Sequence, residues 1–154
     1  MEVILSNIPA DPGTYMLVLN AQTEREVTIG KLGRFSIKPG YYVYSGSAFG
    51  PGGLRARIGH HLRQSSKPHW HIDFFKQDFD ITEVYYISGK KCYEHRWAET
   101  LQSRPDAAIP IPRFGASDCK CPAHLFFFER RPDLLKILRA TGIKNVVVND
   151  FSEI

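Results

Sequence analysis

Apolar positions along the chain change period every few residues. The run Thr14 to Asn20 (TYMLVLN), following the turn Asp11-Pro12-Gly13, reads as a strand. Glu26 to Ile29 and Phe35 to Ile37 are short β-like runs around Gly30 and Gly33, and Tyr41 to Tyr44 adds a further strand in which Tyr42 and Tyr44 face one side and Tyr41 the other. Short Gly or Pro connections between strands close in sequence predict an antiparallel meander. From Leu54 the period becomes helical. Leu54, Ile58, His61 and Leu62 fall along one side of a helix of about three turns, with Arg55, Gly59 and Arg63 elsewhere.

Further along, Pro68 opens a second helix through Lys76, Ile81 to Ser88 (ITEVYYIS) alternates as a strand, and Cys92 to Arg104 is helical up to Pro105. Asp106 to Arg113 is a proline-rich loop, His124 to Phe128 a buried strand, Pro132 to Thr141 a helix closed by Gly142, and Asn145 to Asn149 a last strand. The expected class is α/β (α+β): a small, mainly antiparallel sheet flanked by helices, with a strand-helix-strand extension at the C-terminal side. No repeat, low-complexity tract or linker divides the 154 residues, so one domain is expected.

Charge changes the picture more than composition does. The 46 residues from Val27 to Ile72 hold seven basic side chains (Lys31, Arg34, Lys38, Arg55, Arg57, Arg63, Lys67), four of the six histidines and no acid. The other 108 residues carry 13 of the 20 basic side chains and all 16 acidic ones. A basic segment in a slightly acidic body is the footprint of a polyanion site, or of a solvated face on an ordinary protein. No apolar run approaches the roughly 18 residues of a membrane span, and the N-terminus lacks the order of a secretory signal. Three cysteines, two of them in Cys119-Lys120-Cys121, suggest a reducing compartment. A cytoplasmic protein with no membrane partner is the expectation.

Gly13-Thr14-Tyr15, then Tyr44-Ser45-Gly46-Ser47-Ala48, then Leu54-Arg55-Ala56-Arg57 together resemble the GIY-YIG nuclease superfamily. That family carries one tyrosine on each of two strands, an arginine on the next helix and a glutamate on a later one. The likeness places these roles on Tyr15, Tyr44, Arg57 and Glu94, with His61 one helical turn after Arg57, over a core of about residues 12–101 and an extension of about 102–154. Pro39-Gly40-Tyr41-Tyr42, His69-Trp70-His71-Ile72-Asp73 and Gly115 to Phe126 (GASDCKCPAHLF) look like one branch of the superfamily, a small domain family long labelled as of unknown function. Thr14 and Ser45 stand where the motif has isoleucine, and Phe49 to Gly53 lengthens the loop before Arg57.

The resemblance implies a metal-dependent endonuclease that hydrolyses DNA phosphodiesters with one Mg²⁺ or Mn²⁺ held at Glu94. DNA would be gripped by Ser47, Arg55, Arg63, Lys67 and Arg34. The residue types suit that chemistry. A tyrosine phenol serves as a base only where a cation or hydrogen bonds depress its pKa, Arg57 offers a planar fork for phosphate, and one glutamate is enough for a hydrated Mg²⁺. The alternatives are a non-cleaving nucleic-acid-binding module, tyrosines that are merely core residues, and Glu99 in place of Glu94. Cys119, Cys121 and His124, with His69 or His71, form a candidate zinc set, although C-x-C is less diagnostic than C-x₂-C. A Cys/His nucleophile has no mark in the sequence, and the bland reading of this loop is two buried cysteines and a capping Asp118.

Overall fold

The computed structural model describes residues 2–63, 67–116 and 119–150, with the backbone alone at 2–4; Asp118 lies outside them. In chain order the elements are α1 (Glu2–Asn7), β1 (Gly13–Ala21), β2 (Arg25–Ile29), a 3-10 turn at Gly30–Leu32, β3 (Gly33–Ile37), β4 (Gly40–Ala48), α2 (Gly53–Leu62) and α3 (His71–Phe75). They continue with β5 (Asp80–Ser88), α4 (Glu94–Gln102), β6 (Ala107–Ala108), β7 (Leu125–Phe128), α5 (Leu134–Arg139) and β8 (Val147–Asp150). The class is α+β: a six-stranded antiparallel sheet in the order β6-β7-β4-β1-β5-β8, flanked by five helices, beside a two-stranded sheet of β2 and β3.

The expected meander does not form. β1 pairs directly with β4 over nine positions, from Gly13 opposite Ala48 to Ala21 opposite Gly40. The five-residue strands β2 and β3 pair only with each other. The longer register prevails, and the hairpin folds over the sheet, where Val27, Ile29 and Ile37 bury their side chains in the core. The helix expected from Pro68 starts at His71 because Asp73 takes the backbone N–H groups of His69 and Trp70, both at 2.9 Å.

Strand alternation gives the sheet two apolar faces. On one, Tyr15, Leu17, Leu19 and Tyr42 pack against Leu54 and Ile58 of α2 and Ile72 and Phe75 of α3. On the other, Met16, Val18, Val43 and Tyr85 pack against Trp97, Ala98 and Leu101 of α4 and Leu134 and Leu138 of α5. Tyr42 and Tyr44 lie with the first cluster and Tyr41 with the second, as the alternation requires. Glu83, buried on β5, accepts from Tyr85 at 2.7 Å and from Arg131 at 2.7 and 3.2 Å, so the buried carboxylate has partners. Among the described residues, no helix is long and apolar enough to cross a membrane.

The start of β1 is the tightest joint. A Cβ on Gly13 would lie 2.3 Å from the Ile87 carbonyl oxygen and 2.6 Å from Leu54 Cδ1, so only glycine lets α2 and β5 close on β1 here. Gly13→Ala should therefore lower the unfolding free energy by about 1–3 kcal/mol, the cost of overpacking. Urea denaturation of the full chain measures this; an unchanged midpoint would mean that the joint opens freely.

Candidate functional site

Tyr15 stands opposite Gly46 in the β1–β4 register. Its ring lies across that glycine, where a Cβ would come within 2.5 Å of Cζ and of the hydroxyl oxygen. Two residues along β4, Tyr44 projects from the same face. His61, in the last turn of α2, sits over both rings: its centroid is 5.3 Å from that of Tyr15 and 6.1 Å from that of Tyr44, and its Nε2 is 2.7 Å from the Tyr15 hydroxyl. One turn earlier Arg57 donates through Nη1 to the Ser47 carbonyl at 3.1 Å and lies 4.4 Å over the Trp70 ring. Hydrogen bond and cation–π contact together leave that guanidinium few alternative positions.

Buried Asp73 holds Trp70 and α2 in place: it pairs with His60 Nε2 at 3.0 Å as well as with the two amides. Lys76 Nζ closes the end of α2 through the carbonyl oxygens of His60, His61 and Arg63 at 2.9, 3.1 and 2.8 Å. These carbonyls have no helical partner, and an ammonium suits the negative end of the helix.

Glu94 reaches the same end of the sheet from the opposite layer. The Tyr93 N–H donates to Thr14 Oγ1 at 2.9 Å, and Ser45 Oγ donates to the Glu94 carbonyl at 3.2 Å. Thr14 and Ser45, the two positions where isoleucine is missing, are thus the residues that fasten the first turn of α4. An apolar side chain could make neither bond. The Glu94 charge raises the pKa of both Tyr15 and Tyr44. Glu99, one and a half turns on, is exposed and lines an open groove of about 400 Å³ with His95, Cys119 and Cys121. Of the two acids, Glu94 is the one placed among the tyrosines.

The electrostatics correct one expectation. Burial, then the neighbouring Tyr44, pushes the Tyr15 phenol well above its ordinary range, and Arg57 only partly opposes this. Burial, then Glu94, likewise raises Tyr44. Desolvation outweighs the guanidinium, so both phenols are protonated hydrogen-bond donors rather than ready bases. Burial also lowers His61 to about 3, leaving the imidazole neutral and able to accept the Tyr15 proton at Nε2.

The nucleic-acid candidates divide. Ser47 and Arg57 meet at the site, and Arg63 and Lys67 are exposed after α2. Arg55, also exposed, donates to the Ile8 carbonyl at 2.7 Å and ties α2 to the segment after α1. Arg34 lies on β3, where Glu26 already pairs with it at 2.5 Å.

A second constellation lies behind Glu94. One ligand atom each from His95, Cys119, Cys121 and His124 falls within 4.8 Å of the others, a His/Cys set that can hold a metal ion and lacks the oxygen ligands of an Mg²⁺ site. The fourth member is His95, not His69 or His71. His69 is exposed, and His71 Nδ1 accepts the Gly115 N–H at 2.8 Å. His95 went unread because only the folded loop brings residue 121 to residue 95. The two cysteines are half-buried rather than buried, and the Cys121 thiol is pushed up to about 11 by burial and then by Cys119, against a nucleophilic role.

A family described as "Domain of unknown function DUF123" matches residues 14–146. The chain belongs to that family. The match takes in Tyr15, Tyr44, Arg57, His61, Glu94 and the His/Cys set together. No curated protein and no solved structure matches the chain significantly.

Neutral, buried His61 ties stability to pH. Its folded pKa lies below the unfolded value, so the unfolded chain binds the extra proton between about pH 6.5 and 3. The stability it permits is complete above pH 6.5 and is lost as pH falls, by up to about 1.4 kcal/mol per pH unit. Unfolding midpoints at pH 7, 5.5 and 4 should fall less steeply for His61→Gln than for the wild-type chain; parallel slopes would show that His61 titrates normally.

Proposed function

We propose that this DUF123-family chain is a metal-dependent endonuclease of the GIY-YIG type that hydrolyses DNA phosphodiesters. One observation carries the reading: Tyr15 and Tyr44 from adjacent strands, Arg57 and His61 from α2, and Glu94 from the opposite layer meet at one end of the sheet. A core would need no arginine and glutamate around two buried phenols.

Glu94 fits a hydrated Mg²⁺ or Mn²⁺: its carboxylate is partly exposed and close enough to the tyrosines to act on both, and a single carboxylate with substrate phosphate and water is a usual Mg²⁺ environment. Such an ion supplies Lewis-acid polarisation of a phosphoryl oxygen and a more acidic water. Arg57 is placed to hold a phosphoryl oxygen through its fork while Trp70 and the Ser47 carbonyl fix its plane. The Tyr15 hydroxyl, held in place by its contact with His61 Nε2, is positioned to orient the attacking water. The Tyr44 hydroxyl is a second donor toward the phosphate. Ser47 touches Arg57, and the exposed Arg55, Arg63 and Lys67 on and after α2 suit a polyanion.

A binding module without cleavage is the second reading, favoured by phenols that burial keeps protonated. Labelled single-stranded, flapped and duplex DNA incubated with Mg²⁺, Mn²⁺ or chelator separates the two. Glu94→Ala should abolish metal-dependent cleavage with DNA affinity kept within a few-fold, and Glu99→Ala should leave cleavage intact. Arg57→Lys, which keeps charge but loses the fork, should slow cleavage by about 10²-fold or more with little change in binding. Wild-type rates in both Glu94→Ala and Arg57→Lys would end the enzymatic reading.

Binding itself should respond to salt. With three to five phosphate contacts, log K falls against log salt with a slope of about −2 to −4.5. Arg63→Ala or Lys67→Ala should flatten that slope by roughly 0.7–0.9 and weaken all sequences alike. Arg34→Ala should change it less, since Glu26 already neutralises that guanidinium. A flat salt dependence in the wild-type chain would remove the electrostatic case for a nucleic-acid partner.

A further inference from the structure

The loop before β7 is built more rigidly than a connection requires. Arg113 has φ 65°, in the left-handed region that a non-glycine residue rarely occupies. Its N–H donates to the Pro122 carbonyl at 2.7 Å, and its guanidinium donates to the carbonyl oxygens of Cys121 at 2.6 Å and Cys119 at 2.7 Å. Both carbonyls are drawn toward Arg113, and the thiols find imidazoles: Cys121 Sγ lies 3.1 Å from Nδ1 of His95 on α4, and Cys119 Sγ 3.1 Å from Nε2 of His124, just before β7. His124 is fully buried, and its other nitrogen, Nδ1, has no hydrogen-bond partner and faces Glu94 Oε2 at 3.6 Å.

We propose that His95, Cys119, Cys121 and His124 form a closed structural Zn²⁺ site that clamps the loop to the first turn of α4. Two thiolates and two imidazoles are a zinc set, with no open position for water. Tetrahedral coordination at ordinary Zn–S and Zn–N lengths separates ligand atoms by about 3.3–3.8 Å. The present spread, from 3.1 Å to 4.8 Å, brackets that range, so side-chain rotation alone completes the site. With Nε2 on the metal, His124 carries its proton on Nδ1, which points at the Glu94 carboxylate. This is the carboxylate–histidine–metal arrangement that fixes a ligand's orientation, and it gives the orphaned buried nitrogen a partner. The site stands on its own geometry and is independent of the cleavage reading.

Cys92, exposed and outside the set, is an internal control. The full chain, stripped with a strong chelator under reducing conditions and titrated with Zn²⁺ alone, should take up one equivalent. In the zinc-loaded protein iodoacetamide should alkylate Cys92 quickly and Cys119 and Cys121 at least tenfold more slowly; after chelation all three should react. Co²⁺ in place of Zn²⁺ should give the intense visible bands of a tetrahedral thiolate site. Cys119→Ser and Cys121→Ser should each lose stoichiometric zinc, Cys92→Ser should keep it, and Glu94→Gln should keep the ion with affinity weakened about 10–100-fold. No zinc uptake by the wild-type chain, equal alkylation of all three thiols with zinc present, or a Cys119–Cys121 disulfide that persists in reductant would each overturn the proposal. Zinc uptake by a chain that cuts no DNA would leave this site standing and remove only the nuclease reading.

Discussion

The antiparallel pairing of β1 with β4 sets Tyr15 against Gly46, and the rest of the site follows from that contact. Because position 46 has no side chain, the tyrosine ring lies flat across the strand, and His61 can reach its hydroxyl. On the reverse face of the same two strands, alternation points Thr14 and Ser45 at the start of α4. β7 pairs with β4 only along Tyr41 to Tyr44, so no β7 residue pairs with the next four residues of β4, and Ser45 within that stretch bonds the first turn of α4. A single register thus decides what α2 contributes from one layer and α4 from the other. A slip of one residue would exchange the two faces and disperse both sets.

Around the two phenols, burial and charge oppose one another, and burial prevails. In a site this dry, an arginine beside a tyrosine is not enough to ionise it, because removing water costs the phenolate more than one partly exposed guanidinium returns. The same desolvation keeps His61 neutral. What results is a neutral hydrogen-bonded pair, Tyr15 to His61, in which burial disfavours the charged form of each partner. Arg57 offsets only part of that cost at Tyr15, its plane fixed between Trp70 and the Ser47 carbonyl.

Much of this was legible in the chain. Strands and helices fall within a few residues of the positions that apolar periodicity assigns, because each long element has one clear buried face. The order of Tyr15, Tyr44, Arg57, His61 and Glu94 marked the residues that meet. Other features were not legible, most of them, like the place of His95, because they depend on contacts distant in sequence. The β2–β3 hairpin leaves the sheet because β4 offers β1 a longer register. α1 was not foreseen, since the helix is short and carries little periodic signal. Arg34 reads as one more basic residue until the hairpin pairs it with Glu26. Gly59, which periodicity puts away from the buried side of α2, is buried; a Cβ there would meet Leu5 of α1 at 3.5 Å, so its burial follows in part from the helix that was missed.

Glu94 and His95 show how one helical turn can serve two chemistries. Successive residues on a helix point about 100° apart, so neighbours in sequence face different surroundings. The Glu94 charge bears on both tyrosines, whereas His95 meets the Cys121 sulfur. Between them His124 faces both ways, with Nε2 toward Cys119 and Nδ1 toward Glu94. The first turn of α4 is fastened by Thr14 and Ser45 on one side and by the cysteine loop on the other. Any loosening of that loop must therefore reach the Glu94 carboxylate through a single imidazole ring and a single turn of backbone.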